Sequence, residues 1–233
     1  RVVTWQQLAE DSLALATFLK GAGVGPQDRV AAWMPNVPET IVAMVATSIL
    51  GATFTSTSPD FGVAGVLDRF GQVRPTVLIA ADGYVYANRR HTRLDRLAEV
   101  VAGLPSLEAV IVHGELDAQP GLGHVREGNP GLPIVTFEQA VEAGRRAAAG
   151  GVAIDPDALY PFDHPLYILY SSGTTGVPQC IVHRAGGLLV KHLVEQQLHC
   201  DIRPGDRVFY FTTCGWMMWN WLASALASQA TLM

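Results

Sequence analysis

The stretch Ser171-Ser172-Gly173-Thr174-Thr175-Gly176 puts four hydroxyl side chains and two glycines into six positions, directly after the apolar run Leu166 to Tyr170. Successive small residues let backbone N–H groups converge on an anion, and Ser or Thr hydroxyls add further donors. Glycine at 173 and 176 permits turns closed to bulkier residues. The chemistry on offer is a grip on the oxygens of a polyphosphate. The plain alternative is a polar surface turn, since these residue types are common turn formers. The segment lacks the helix-opening G-x-x-x-x-G-K-[ST] pattern, which weighs against a kinase-like phosphotransferase. It also ends at Gln179, a neutral amide where a phosphate-gripping loop would be expected to place a cation.

Other residues invite a chemical reading and have plainer ones beside it. Trp216, Met217, Met218, Trp219 and Trp221 form an aromatic and thioether cluster that reads either as a pocket wall or as core. His183 follows a strand and precedes Gly186-Gly187, where a structural role is the simpler reading. Arg89 and Arg90 form a small basic stretch, which suits a solvated face as well as an anion site. Cys214 has no base partner in the sequence pattern and reads as packing.

The elements that must position these residues alternate along the chain. Thr4 and Gln7 have capping-box spacing before an apolar-periodic helix from Trp5 to Lys20. A strand follows over Arg29 to Met34, then a helix capped by Asn36 with Pro38 in its first turn. The alternation continues with strands at Thr53 to Thr57, Thr76 to Ala80 and Ala109 to His113, and helices at Val63 to Phe70 and Thr92 to Ala102. Gly114 to Pro133 reads as a surface loop, and Phe137 to Ala149 as a helix. Strands at Leu166 to Tyr170 and Cys180 to His183 flank the hydroxyl loop. A helix at Gly187 to Leu198, a strand at Arg207 to Thr212 and a helix at Trp219 to Ala227 complete the pattern. Strand and helix in alternation, without hairpin signals, predict an α/β fold: mostly parallel sheet with helices on its faces.

Composition narrows the partners. The 233 residues carry a net charge of -5 and no basic stripe, which argues against a nucleic-acid partner. The apolar segments Thr40 to Phe54 and Trp216 to Met233 are interrupted by polar residues and give no clean run of about twenty, so no membrane span is expected. The three cysteines lack metal-ligand spacing, no metal site is read from the sequence, and reduced thiols suit a cytoplasmic protein.

Tyr170 to Gln179 resembles the signature loop [ST]-[SG]-G-[ST]-T-G-x-P-K of the adenylate-forming enzymes, the acyl-CoA synthetase superfamily. Thr4-Trp5 with Leu8, Gly25-Pro26-Gln27-Asp28-Arg29-Val30, Asn36-Val37-Pro38-Glu39 and Gly51-Ala52 match further family segments in order. Ser58 to Gly62, Val66 to Phe70, Asp82-Gly83-Tyr84, Cys180 to His183 and Gly205 to Asn220 are similar to the acetoacetate-activating branch. The resemblance implies ATP with Mg²⁺, attack of a carboxylate on the α-phosphorus to give an acyl-adenylate and pyrophosphate, and transfer of the acyl group to CoA. It implies the β/γ-phosphate loop at Ser171, Ser172, Gly173, Thr174, Thr175 and Gly176, closed by Gln179. It also implies an acid pocket at Trp216 with Met217 or Met218, and a loose match of Arg89 and Arg90 to the CoA-phosphate region. Residues 1–233 then form part of the large N-terminal AMP-binding domain, expected to be inactive alone. Acetate or propionate as the acid, and a non-catalytic nucleotide-binding module, remain alternatives; Gln179 favours the second.

Overall fold

The computed structural model describes residues 1–171 and 176–233. Its elements in chain order are α1 (Trp5–Gly21), β1 (Arg29–Trp33), α2 (Pro38–Ile49), β2 (Thr53–Thr57), α3 (Val63–Val73), β3 (Val77–Ala81), β4 (Gly83–Tyr86), β5 (Arg89–Thr92), α4 (Leu94–Ala102), β6 (Ala109–His113), α5 (Gly123–Glu127), β7 (Ile134–Thr136), α6 (Phe137–Ala149), β8 (Pro165–Tyr170), β9 (Cys180–Arg184), α7 (Ala185–Leu193), β10 (Arg207–Val208), α8 (Met217–Ser224) and β11 (Thr231–Leu232).

Seven strands form one sheet in the order β7-β6-β3-β1-β2-β8-β9. Every pair in it is parallel except β8 with β9. The two-residue period of a strand divides its side chains between two cores. Val30 and Ala32 of β1, Val77 and Ile79 of β3, and Ala109 and Ile111 of β6 meet α1, α2 and α6 on one face. Ala31 and Trp33, Leu78 and Ala80, and Val110 and Val112 meet α3, α4 and α5 on the other. Strands buried on both faces explain the near-continuous apolar runs in the sequence. This is the α/β architecture read from the alternation.

Local chemistry fixes the helix starts. Thr4 Oγ1 accepts the Gln7 N–H at 3.2 Å while Gln7 Oε1 accepts the Thr4 N–H at 3.0 Å. Thr136 and Gln139 repeat this reciprocal cap at α6. Asn36 is not the cap of α2; Val37 occupies that position without a side-chain bond, and Asn36 Oδ1 instead accepts the Trp219 indole N–H at 2.9 Å.

Four further segments differ from the sequence reading. β4 and β5 form an antiparallel hairpin through Ala87 and Asn88, both at positive φ (49° and 60°), a geometry reached here without the usual Asn-Gly or Asp-Gly signature. Gly114 to Pro133 contains the short α5, and β7 follows it. The helix expected through Leu198 ends as α7 at Leu193 and continues as a π-helical turn, Val194–His199. The strand expected through Thr212 stops at Val208, because β10 pairs only with the two residues of β11.

Candidate functional site at the carboxyl ends of the strands

The hydroxyl loop leaves β8 at Tyr170 and re-enters at Cys180, which stands opposite Tyr170 in the β8–β9 ladder. Its neck is closed by a reciprocal pair. The Ser171 N–H donates to the Gln179 carbonyl at 3.0 Å, and the Gln179 N–H donates to Ser171 Oγ at 3.0 Å. Ser172, Gly173, Thr174 and Thr175 lie outside the described residues. Gly176 and Val177 are exposed, whereas Pro178 is buried, so the returning limb is anchored at Pro178.

The anchor comes from α3. Gln72 Nε2 donates to the Pro178 carbonyl at 2.8 Å, and Gln72 Oε1 lies 3.6 Å from the Cys180 thiol. Sequence reasoning gave Gln72 no role, since nothing local marks one amide on an amphipathic helix. Arg69, one turn earlier on α3, lays its guanidinium 4.4 Å from the Phe61 ring centroid and 5.8 Å from that of Tyr170. It places a cation beside the loop neck, also unforeseen. Tyr170 Oη meets Thr55 Oγ1 at 2.9 Å. Burial pushes the Tyr170 phenol well above its usual value despite the opposing effects of the Thr55 hydrogen bond and Arg69, so it stays neutral.

The Trp/Met segment docks beside the neighbouring strand ends. Ser56 Oγ of β2 donates to the Cys214 carbonyl at 2.7 Å, and the Cys214 thiol donates to the Pro35 carbonyl at 3.2 Å. Burial raises the pKa of that thiol, which suits packing and not nucleophilic attack. A Cβ on Gly215 would sit 3.2 Å from both the Phe61 ring and the Ser58 nitrogen, so glycine lets the segment lie close against the turn after β2. Trp219 is buried and stacks on Phe54 with ring centroids 6.3 Å apart. Trp216, by contrast, is 62% exposed and Met217 48%, with Met218 half-buried beside them. The core reading therefore fits Trp219 but not Trp216 or Met217.

Arg89 and Arg90 are both exposed on the β4–β5 hairpin. Arg90 donates to the Leu116 carbonyl. Among the described residues no hydrogen bond or ion pair joins either arginine to the loop or to the Trp216 segment. The hairpin is tied toward the site by Arg93, which donates to the Pro59 carbonyl at 2.7 Å and to Tyr84 Oη at 3.0 Å. The His183 ring packs against that of Tyr167 with centroids 5.2 Å apart and planes tilted by 38°, and burial lowers its pKa, which keeps it neutral near pH 7. Among the described residues no group of three or more His, Cys, Asp or Glu side chains is placed to hold a metal ion, and no helix is long and apolar enough to cross a membrane.

The neck of the loop and the Trp216 segment thus lie at the carboxyl ends of β1, β2 and β8. In open parallel sheets that edge, near the point where strand order reverses, is where ligands bind. Here the order reverses beside β1, from which the chain moves out to β2 and then back past β1 to β3.

Comparison with known proteins agrees with this geometry. The chain matches the AMP-binding enzyme family over residues 1–233. It is 49% identical over 230 residues to the acetoacetyl-coenzyme A synthetase of Rhizobium meliloti (strain 1021), covering 99% of this chain and 33% of that protein. It is 41% identical to the malonamoyl-CoA synthetase vrtB of Penicillium aethiopicum, covering 99% and 31%. The solved structure of acetoacetyl-CoA synthetase from Streptomyces lividans superposes with a TM-score of 0.86 at 42% identity, over 100% of this chain and 33% of that one. The chain accordingly spans about a third of the length of these relatives. Since the match runs through the hydroxyl loop, the strands that carry it and the segment docked beside them, this chain belongs to the AMP-binding enzyme family.

Proposed function

We propose that this chain is part of the large N-terminal domain of an acid–CoA ligase that activates acetoacetate with ATP. The carboxylate attacks the α-phosphorus, pyrophosphate leaves, and the acyl group of the adenylate passes to the CoA thiol. The observation that carries the reading is the placement of the hydroxyl loop's neck and the exposed Trp216 on one sheet edge. Ser171 to Gly176 would grip the β- and γ-phosphates, with Mg²⁺ entering on ATP. Their task is to neutralise charge while two anions approach one another. Trp216, Met217 and Met218 would wall a pocket for a short acid, and Arg89 and Arg90 would meet the CoA phosphates. Three free cysteines suit a cytosolic protein.

Acetoacetate is favoured over acetate or propionate by the names of the relatives. Acetoacetyl and malonamoyl groups both carry a carbonyl two carbons from the carboxyl that becomes the thioester. Pyrophosphate release by the full-length enzyme with acetoacetate, acetate and propionate tests this directly, and equal rates would sink the assignment. Gln179 supports a second reading, a non-catalytic nucleotide-binding module. That reading expects full-length protein that binds ATP yet releases no pyrophosphate with any of the three acids.

A further inference from the structure

Seven buried side-chain polar atoms have no hydrogen-bond partner among the described residues, and two of them belong to one amide, that of Asn220. Buried polar groups in native proteins are almost always paired, and each exception calls for a cause. Trp216, Asn220 and Ser224 are spaced four apart on α8 and its N-cap, so they lie along one face. The lower end of that face is satisfied: Ser224 Oγ lies 2.8 Å from His192 Nδ1, accepts from Gln196 Nε2 at 2.9 Å and donates to the Trp221 carbonyl at 2.7 Å. The upper end is the exposed Trp216. Between them Asn220 is 2% exposed and bonded to nothing, although its neighbour one turn down has three partners. Thr213 Oγ1, just before this turn, is also buried and unpartnered.

We propose that Asn220 determines acid specificity, its Nδ2–H donating to the β-carbonyl oxygen of a short β-carbonyl acid that enters past Trp216. This rests on the ligase reading above and extends it to the substrate class. The bare amide is then the unfilled half of a substrate hydrogen bond. A site built to pair with a polar group rejects an analogue that lacks it, because the buried donor is left empty. The short acid that best tests this is butyrate, which matches acetoacetate in length and lacks the β-carbonyl.

The experiment uses full-length enzyme, wild type and Asn220→Leu and Asn220→Ser, with pyrophosphate release measured for acetoacetate and butyrate and the melting temperature measured without substrate. In wild type, acetoacetate is expected to exceed butyrate in kcat/KM. Asn220→Leu should lower kcat/KM for acetoacetate about tenfold to hundredfold while leaving butyrate unchanged or raised and the KM for ATP unaltered. Asn220→Ser, which keeps a donor, should fall between. Because the amide is unpaired without substrate, the Leu variant should melt at or above the wild-type temperature. A lower melting temperature with equal losses on both acids would show a structural residue, and an unchanged acetoacetate-to-butyrate ratio would show an indifferent one; either overturns the proposal. Wild type that releases no pyrophosphate with either acid would remove the ligase reading, and the proposal with it.

Discussion

Gln179 spends both of its backbone groups on closing the loop neck against Ser171, so on the proposed ligase reading only its side chain is left to meet a phosphate. An amide donates without charge, and charge-assisted bonds to phosphate are roughly twice as strong as neutral ones. Gln179→Lys in the full-length enzyme should therefore lower the KM for ATP, by about tenfold for one bond strengthened by ~1.4 kcal/mol. An unchanged KM would place the grip in the hydroxyls and backbone. Gln72 acts one step further back, holding the Pro178 carbonyl. Gln72→Leu should raise the KM for ATP while leaving the KM for the acid as it was; a rise in both would point to general damage to the domain. These two glutamines also show how far the sequence reaches at this scale. The loop's place between two strands could be read from the apolar runs on either side of it. Gln72 could not, since its contact joins positions 106 apart and leaves no local pattern. Asn220 was equally hidden, because a missing hydrogen bond has no signature in residue type.

Elements were legible where one period dominated and obscure where a partner decided. Six of the seven strands of the main sheet, all but β7, and the capped helices α1 and α6 follow from local rules, because apolar patterning and cap chemistry are written within a few residues. Phe209 to Thr212 has the aromatic and β-branched residues that favour a strand, yet no described strand lies alongside it and it does not form one. Close packing between elements is similarly nonlocal. A Cβ at Gly144 of α6 would lie 1.8 Å from the Ala14 carbonyl oxygen of α1. Gly144→Ala should therefore destabilise by about 1–3 kcal/mol through overpacking, against the helix propensity that favours Ala; denaturant unfolding that shows a gain would contradict this. The α7–α8 contact carries a pH dependence. Burial holds the His192 imidazole below its usual pKa of 6.5, with Lys191 adding to the shift and Glu195 opposing it. The unfolded chain then binds more protons than the folded one between the two values. Stability from this contact is present above about pH 6.5 and declines as pH falls below it. His192→Gln should flatten the acid limb of the stability profile, and an unaltered limb would assign it to other groups.

Across the whole molecule, apolar exposure is unevenly spread. The central strands β1, β3 and β6 are covered on both faces by helices, and their large aliphatic side chains are buried. From β9 onward, Ile181, Val182, Leu189, Val190, Leu198, Phe209 and Phe211 stand open, Phe211 at 87% exposure. The parallel pair β10–β11 has only two residues in each strand, too little to be stable by itself. Exposed apolar surface of this kind beside unpaired strand groups favours association between molecules. The relatives are about three times as long as this chain, which offers further polypeptide to cover the region. The 233 residues alone are therefore expected to bind a hydrophobic dye such as ANS and to self-associate, whereas protein extended to the length of the relatives should be monodisperse and bind little dye. Light scattering and dye fluorescence on the two lengths decide the matter. A monodisperse, cooperatively melting sample of the 233 residues would mean that the exposed side chains from β9 onward are tolerated, and that the region needs no covering chain to be stable.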